Sequence, residues 1–218
     1  MTSAPFNPIE LPPLQGDETF TGVDATVNDF WRFAMSDLRV NTVRGYVAEF
    51  LISRALGLTG VADSMTECDL RWNGISINVK SSGYLQAWSQ RSLSRIQFSG
   101  LYRRAWSVED GSLGEVPDFH TDVYVFAVQT ATEPDKYDQL DANQWDFYVL
   151  SQAAVRAHGW GSLSLRKLES LGAARLKLSD LPTAIREAAN VGDRQPSRWT
   201  RQALQGEGFE GFIPFEAP

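Results

Sequence analysis

Apolar residues at Val27, Phe30, Trp31, Ala34 and Leu38 recur at helical spacing. They predict a first helix of about a dozen residues, with Asp24 as its N-cap. A second helix is expected from Asn41 or Thr42 to about Leu56, stopped by Gly57. Val43, Tyr46, Val47, Phe50 and Leu51 form one apolar sector of it. Ile52 and Leu56 fall on the opposite side, near Glu49. A helix apolar nearly all round is expected to be buried. Glu49 lies within the second apolar sector, and a carboxylate there needs a partner or a metal.

The period then changes from helical to alternating. Glu67-Cys-Asp-Leu-Arg-Trp72 and Ile75-Ser-Ile-Asn-Val-Lys-Ser-Ser82 flank Asn73-Gly74. Asn-Gly between two alternating runs predicts a hairpin with a type I′ turn. A two-residue loop pairs Trp72 with Ile75, which places Asp69 opposite Asn78 and Glu67 opposite Lys80. One face then carries Cys68, Leu70, Trp72, Ile75, Ile77 and Val79, so Cys68 reads as a core residue. The other carries Glu67, Asp69, Arg71, Ser76, Asn78 and Lys80.

Further strands are expected at Arg95–Ser99, Asp122–Gln129 and Trp145–Leu150, with loops at 107–119 and 130–144. Residues 151–190 read mainly as helix. Residues 1–20 are proline-rich and read as an extended arm, 21–204 as one domain, and 205–218 as an irregular tail. The element order predicts an α/β fold: a central mixed sheet flanked by helices.

The single cysteine allows neither an internal disulfide nor a cysteine-based zinc site, and two histidines argue against a His-rich metal centre. No apolar run is long enough to span a bilayer, and the first residues lack the features of a secretory signal. A reducing, cytoplasmic setting without membrane partners is the expectation. The net charge of −7 argues against a nucleic-acid binder until its distribution is considered. Residues 70–108 carry six basic side chains and no acidic one: Arg71, Lys80, Arg91, Arg95, Arg103 and Arg104. Trp72, Tyr84, Trp88, Phe98, Tyr102 and Trp106 interleave with them. Cations among flat rings suit a phosphate backbone and unstacked bases, although a solvated basic face over core aromatics explains the composition equally well.

Asp69 and Asn78 are expected about 5 Å apart at Cβ, with Lys80 two residues on along the same face. Oxygens from Asp69, Asn78 and the Val79 carbonyl, completed by Glu49, could hold a Mg²⁺ ion, and Lys80 could supply the cation that phosphodiester hydrolysis needs. These residues resemble the PD-(D/E)xK nuclease superfamily, the restriction-endonuclease-like fold. Its pattern is a helical acid, an Asp on one strand and (D/E)-x-K on the next. Here these positions fall on Glu49 in RGYVAEFLISRAL, Asp69 in ECDLRWNG and Asn78-Val79-Lys80 in ISINVKSSGYLQAW. The resemblance covers roughly residues 41–130. It implies a Mg²⁺-dependent nuclease acting on DNA, in which Mn²⁺ can substitute. By analogy with members that cut duplexes as dimers, it also implies a homodimer. A Tyr and a Gln often follow the lysine in such proteins, which makes Tyr84 and Gln86 candidates for contact with DNA. Ser82 and the four arginines Arg91, Arg95, Arg103 and Arg104 join them.

Asn78 departs from the pattern, which has a carboxylate there. An amide oxygen ligates without charge, which weakens affinity for a hard dication. Either the site tolerates the change, or Glu67 substitutes, or activity is reduced or lost. Two rivals follow: a nucleic-acid-binding module that keeps the scaffold without the chemistry, and a protein-interaction subunit of a larger complex. Bland readings stand beside each residue. Glu49 could be a surface glutamate, and Asp69–Asn78 a solvated strand pair. Aromatics such as Tyr84 and Trp88 after a strand end are more often packing residues than base stackers.

Overall fold

A computed structural model describes residues 11–60, 68–106 and 113–190. Two helices come first, α1 (Val27–Met35) and α2 (Asn41–Ala55). The strands β1 (Leu70–Trp72) and β2 (Ile75–Gly83) follow, then β3 (Gln97–Phe98), β4 (Arg103–Trp106), β5 (Leu113–Asp118), β6 (Val123–Gln129) and β7 (Trp145–Ser151). The last part holds α3 (Gln152–His158), β8 (Leu163–Ser164), α4 (Leu165–Ser170) and α5 (Leu181–Asn190).

The central sheet has four strands in the order β1-β2-β6-β7. It is mixed: β2 runs parallel to β6, while β1 and β7 are antiparallel to their neighbours. Helices flank it on both sides, as the α/β reading expects. The Asn73-Gly74 turn has both residues at positive φ, 48° and 76°, as a type I′ turn requires. The register Trp72↔Ile75 follows from it.

Two cores sandwich the sheet. On one face α2 and α5 pack Ala48, Ile52, Leu181 and Ile185 against Ile75, Ile77, Val79, Val123, Val125 and Phe147. On the other, Tyr124, Phe126, Val128 and Leu150 meet Phe98, Phe119, Val155, Leu163 and Leu168. Every residue of β6 is therefore buried, which explains its unbroken apolar run. Burial of each large side chain there contributes about 1.5–3 kcal/mol.

Several expectations need correction. The cap of α1 is Thr26, not Asp24: its hydroxyl accepts from Asp29 N while the Asp29 carboxylate accepts from Thr26 N, a capping box. Only Val27 of the α1 stripe is buried; Phe30 and Trp31 are exposed, and Phe33 is 90% exposed. Nor is α2 buried all round. Val43, Arg44, Ala48 and Ile52 face the core, while Tyr46 and Phe50 are exposed. The polar hairpin face is not solvated either, because Ser76 and Asn78 are buried where the second core covers β2. Part of 107–119 is not loop: β4 and β5 form a hairpin of their own. Residues 151–190 are mainly helical, as expected, in the short helices α3, α4 and α5 with the two-residue strand β8 between α3 and α4. Glu67, the first ten residues of the arm and the tail 205–218 lie outside the described residues. Among the described residues, no helix is long and apolar enough to cross a membrane.

Candidate active site

The site arises because β1 is short. It pairs with β2 only over Ile75–Ile77, so from Asn78 onward β2 is bonded to β6 alone among the described strands. Asp69 stands where the ladder stops. Its backbone N–H donates to Ile77 O at 3.0 Å, and its Oδ2 accepts from Val79 N at 2.6 Å. The side chain thus takes over a main-chain donor that a longer β1 would have paired. The pairing of β1 with β2 ends at Leu70↔Ile77, and the Asp69 carboxylate turns to Val79 N instead of standing free on a strand face.

Three charged groups meet at this edge. Burial pushes the Glu49 carboxyl up to about 7, the negative charge of Asp69 adds to the rise, and Lys80 opposes it. Burial likewise holds the Lys80 ammonium below its ordinary value; Asp69 counters this, Arg103 adds to it, and Glu49 counters it. These mutual influences bring Glu49 on α2, Asp69 before β1 and Lys80 on β2 into one electrostatic unit. All three are half-buried.

Asn78 directly precedes Val79, whose N–H holds the Asp69 carboxylate. Only 8% exposed, it has an Oδ1 that is buried and lacks a hydrogen-bond partner among the described residues. Such an orphan acceptor costs about 1–3 kcal/mol and calls for an explanation. A hard cation is one, since amide oxygens ligate Mg²⁺ and Ca²⁺. The donor set fits: carboxylates of Glu49 and Asp69, the Asn78 amide oxygen, and Val79, whose backbone already belongs to the site through Asp69. Among the described residues, no three His, Cys, Asp or Glu side chains gather to hold a metal.

The remaining candidates divide. Arg103 comes within electrostatic reach of Lys80, while Arg104 and Arg95 are solvent-exposed on β4 and before β3. Ser82 is buried two residues beyond Lys80. Tyr84 packs half-buried against the second core, so for it the packing reading holds. Gln86 is structural: its Oε1 accepts from Arg44 Nη2 at 3.0 Å and its Nε2 donates to Gly83 O at 2.8 Å. Arg91 is exposed and lines a groove with Trp88. Asp122, just before β6, accepts at Oδ2 from Ser76 N and Oγ and ties β2 to the start of β6. Cys68 is buried, as expected.

Arg44 escaped the sequence reading. It is 4% exposed and donates to Asn41 Oδ1, Leu85 O and Gln86 Oε1, with no carboxylate partner among the described residues. The signal was present: Arg44, Ala48 and Ile52 step by four along the buried stripe of α2. Trp88, for which both a packing and a base-stacking role are open from the sequence, is 56% exposed.

Compared with known proteins, the sequence matches no family model, and neither a curated protein nor a solved structure matches it significantly.

Proposed function

We propose that this protein is a Mg²⁺-dependent nuclease that hydrolyses phosphodiester bonds in DNA, on a scaffold of restriction-endonuclease type. One observation carries the reading: Glu49, Asp69 and Lys80 bear on one another's charge, and the buried Asn78 Oδ1, without a partner among the described residues, lies one residue before the N–H that holds the Asp69 carboxylate. A half-buried glutamate and lysine whose proton affinities are both displaced by burial and neighbouring charge mark a candidate functional site. Glu49, Asp69 and Asn78, with the Val79 carbonyl, would hold the metal. Bound there, Mg²⁺ or Mn²⁺ supplies Lewis-acid polarisation of the phosphate and offsets its charge.

The chain's own groups do the rest. Val79 N–H fixes the Asp69 carboxylate before any ligand arrives, so no side-chain freedom is lost on binding. Lys80 orients the attacking water and stabilises negative charge developing on the phosphate. Burial lowers its proton affinity, the direction that favours release of a proton. Water adds to phosphorus as the bond to the leaving oxygen breaks, in one displacement without a covalent enzyme intermediate.

The test is plasmid cleavage in Mg²⁺ or Mn²⁺. Wild type should nick or linearise DNA, and Asp69→Ala and Lys80→Ala should each lose that activity. Metal-independent cleavage, or equal activity in the variants, rejects the reading. The amide at 78 and the lack of a three-acid cluster favour one alternative, a nuclease-fold binder without chemistry. It predicts retardation of DNA without cleavage.

A further inference from the structure

The loop that leaves β2 is built to present something. Gln90 ties it together: its Oε1 accepts from Gln86 N at 2.7 Å, and its Nε2 donates to Tyr84 O at 3.0 Å, to Ser94 Oγ at 3.0 Å and to Ser92 O at 3.3 Å. Ser94 N closes the loop onto Tyr84 O at 2.9 Å. Beneath it, Gln86 is clamped by buried Arg44. Segments fixed this firmly usually carry a side chain whose position matters.

What the loop displays is Trp88. Its indole is 56% exposed and makes no ring contact among the described residues. It lines a groove of about 480 Å³ together with Leu93, Arg91, Arg39 and Tyr137. That volume lies within the range of small-molecule sites. Among the described residues, no carboxylate lines the groove. Arg39 is occupied by Asp37, but Arg91 is exposed and forms no ion pair among the described residues. Arg44 adds a buried positive charge behind the wall.

The groove also has a fixed relation to the proposed active site. Gly83 lies three residues beyond Lys80 on β2, roughly 10 Å along an extended strand. Arg44 lies five residues before Glu49 on α2, roughly 8 Å along the axis. The loop is held to the end of β2 by Gln86 Nε2, which donates to Gly83 O at 2.8 Å, so the groove and the candidate active site share the same strand and the same helix.

We infer that the Tyr84–Ser94 loop is a stacking platform for an unpaired nucleobase of the DNA strand, with Trp88 as the stacking surface and Arg91 on the adjoining phosphate. The inference rests on the nuclease reading and narrows its substrate to DNA with unstacked nucleotides near the cleavage point. A rigid aromatic suits every base, because each has a π-face. It gives no sequence preference.

Binding is measured at low salt with Ca²⁺ in place of Mg²⁺, on a blunt duplex and on the same duplex with a short single-stranded tail carrying 2-aminopurine. Wild type should prefer the tailed DNA and alter the 2-aminopurine fluorescence. Trp88→Ala should lose about tenfold in affinity for the tailed DNA and stay within about twofold on the blunt duplex. Trp88→Phe should keep most of the preference, and all variants should melt as wild type does. Equal loss on both DNAs, no loss on the tailed DNA, or no binding of either overturns the platform. Loss of cleavage is read separately, with Lys80→Ala. Tail preference that depends on Trp88 without any cleavage overturns the nuclease and leaves the platform standing. Cleavage with no role for Trp88 does the reverse.

Discussion

The backbone N–H of Val79 donates to Asp69 Oδ2 at 2.6 Å, joining the two halves of the candidate motif through the main chain of one and the side chain of the other. The bond exists because β1 ends at Leu70, so a buried donor needs a substitute acceptor. It gives Asp69 a structural and a chemical role at once, and the two are separable. Asp69→Asn keeps an acceptor for Val79 N and should cost less than about 1 kcal/mol, whereas Asp69→Ala strands the donor and should cost about 1–3 kcal/mol. Both should abolish metal-dependent cleavage. Thermal unfolding beside a nicking assay checks the split, and equal melting of the two variants would remove the structural role.

Asn78 trades stability for function. Replacing its orphan amide by leucine removes a buried unsatisfied oxygen and should stabilise the metal-free protein by on the order of 1 kcal/mol. The same change should erase any rise in melting temperature caused by Mg²⁺ or Mn²⁺. Asn78→Asp should do the opposite. It crowds a third carboxylate against Glu49 and Asp69, lowering stability without metal and enlarging the metal-induced rise. Calorimetry with and without the cation reads both, and a destabilised Asn78→Leu would argue that the amide is already satisfied.

Glu49 makes stability depend on pH. Its folded-state value near 7 lies above the ordinary 4.5, so the folded protein holds a proton there that the unfolded chain has lost. This group's contribution is complete below about 4.5 and is lost as pH rises to about 7. After allowance for partial exposure, the loss is on the order of 1–2 kcal/mol. Glu49→Gln should flatten that part of the denaturation profile. Asp69→Asn should shift it to lower pH, because the charge that raises Glu49 is gone. An unchanged slope in Glu49→Gln would show that the carboxyl does not titrate in this window.

Gly83 and Arg44 should behave as a coupled pair. A Cβ at Gly83 would lie 3.1 Å from Arg44 Nη1 and 3.3 Å from Gln129 Cβ, so Gly83→Ala must push the guanidinium or the neighbouring strand aside. A cost of about 1–3 kcal/mol is expected. Arg44→Met removes the donor to Leu85 and Gln86 and should also destabilise, by about 2–4 kcal/mol. With the guanidinium gone, the alanine fits more easily, so the double variant should lose less than the two single losses combined. Full additivity would mean that the strain falls on Gln129 instead.

Much of the fold was readable because it depends on local chemistry. Asn73-Gly74 dictated the turn and hence the pairing of Trp72 with Ile75. The unbroken apolar run 123–129 marked a strand covered on both faces. The exposure of Phe30, Phe33 and Tyr46 was not readable, since helical spacing shows that an apolar stripe exists and not that anything covers it. The β4–β5 pairing does not show in the sequence pattern because its connecting stretch has loop-like composition while its partners are seven to fifteen residues apart.

For the site, the sequence by itself determined which residues could act: an acid on the second helix, an Asp before the hairpin, and Asn-x-Lys after it. These are matters of residue type and period. Only the tertiary structure decided that β1 stops short, that Asp69 turns to Val79, that Asn78 Oδ1 is left without a partner, and that Arg44 is buried under the loop bearing Trp88. Each depends on which surfaces cover which strands, and that is set by packing among residues far apart in the chain, beyond the reach of any local pattern.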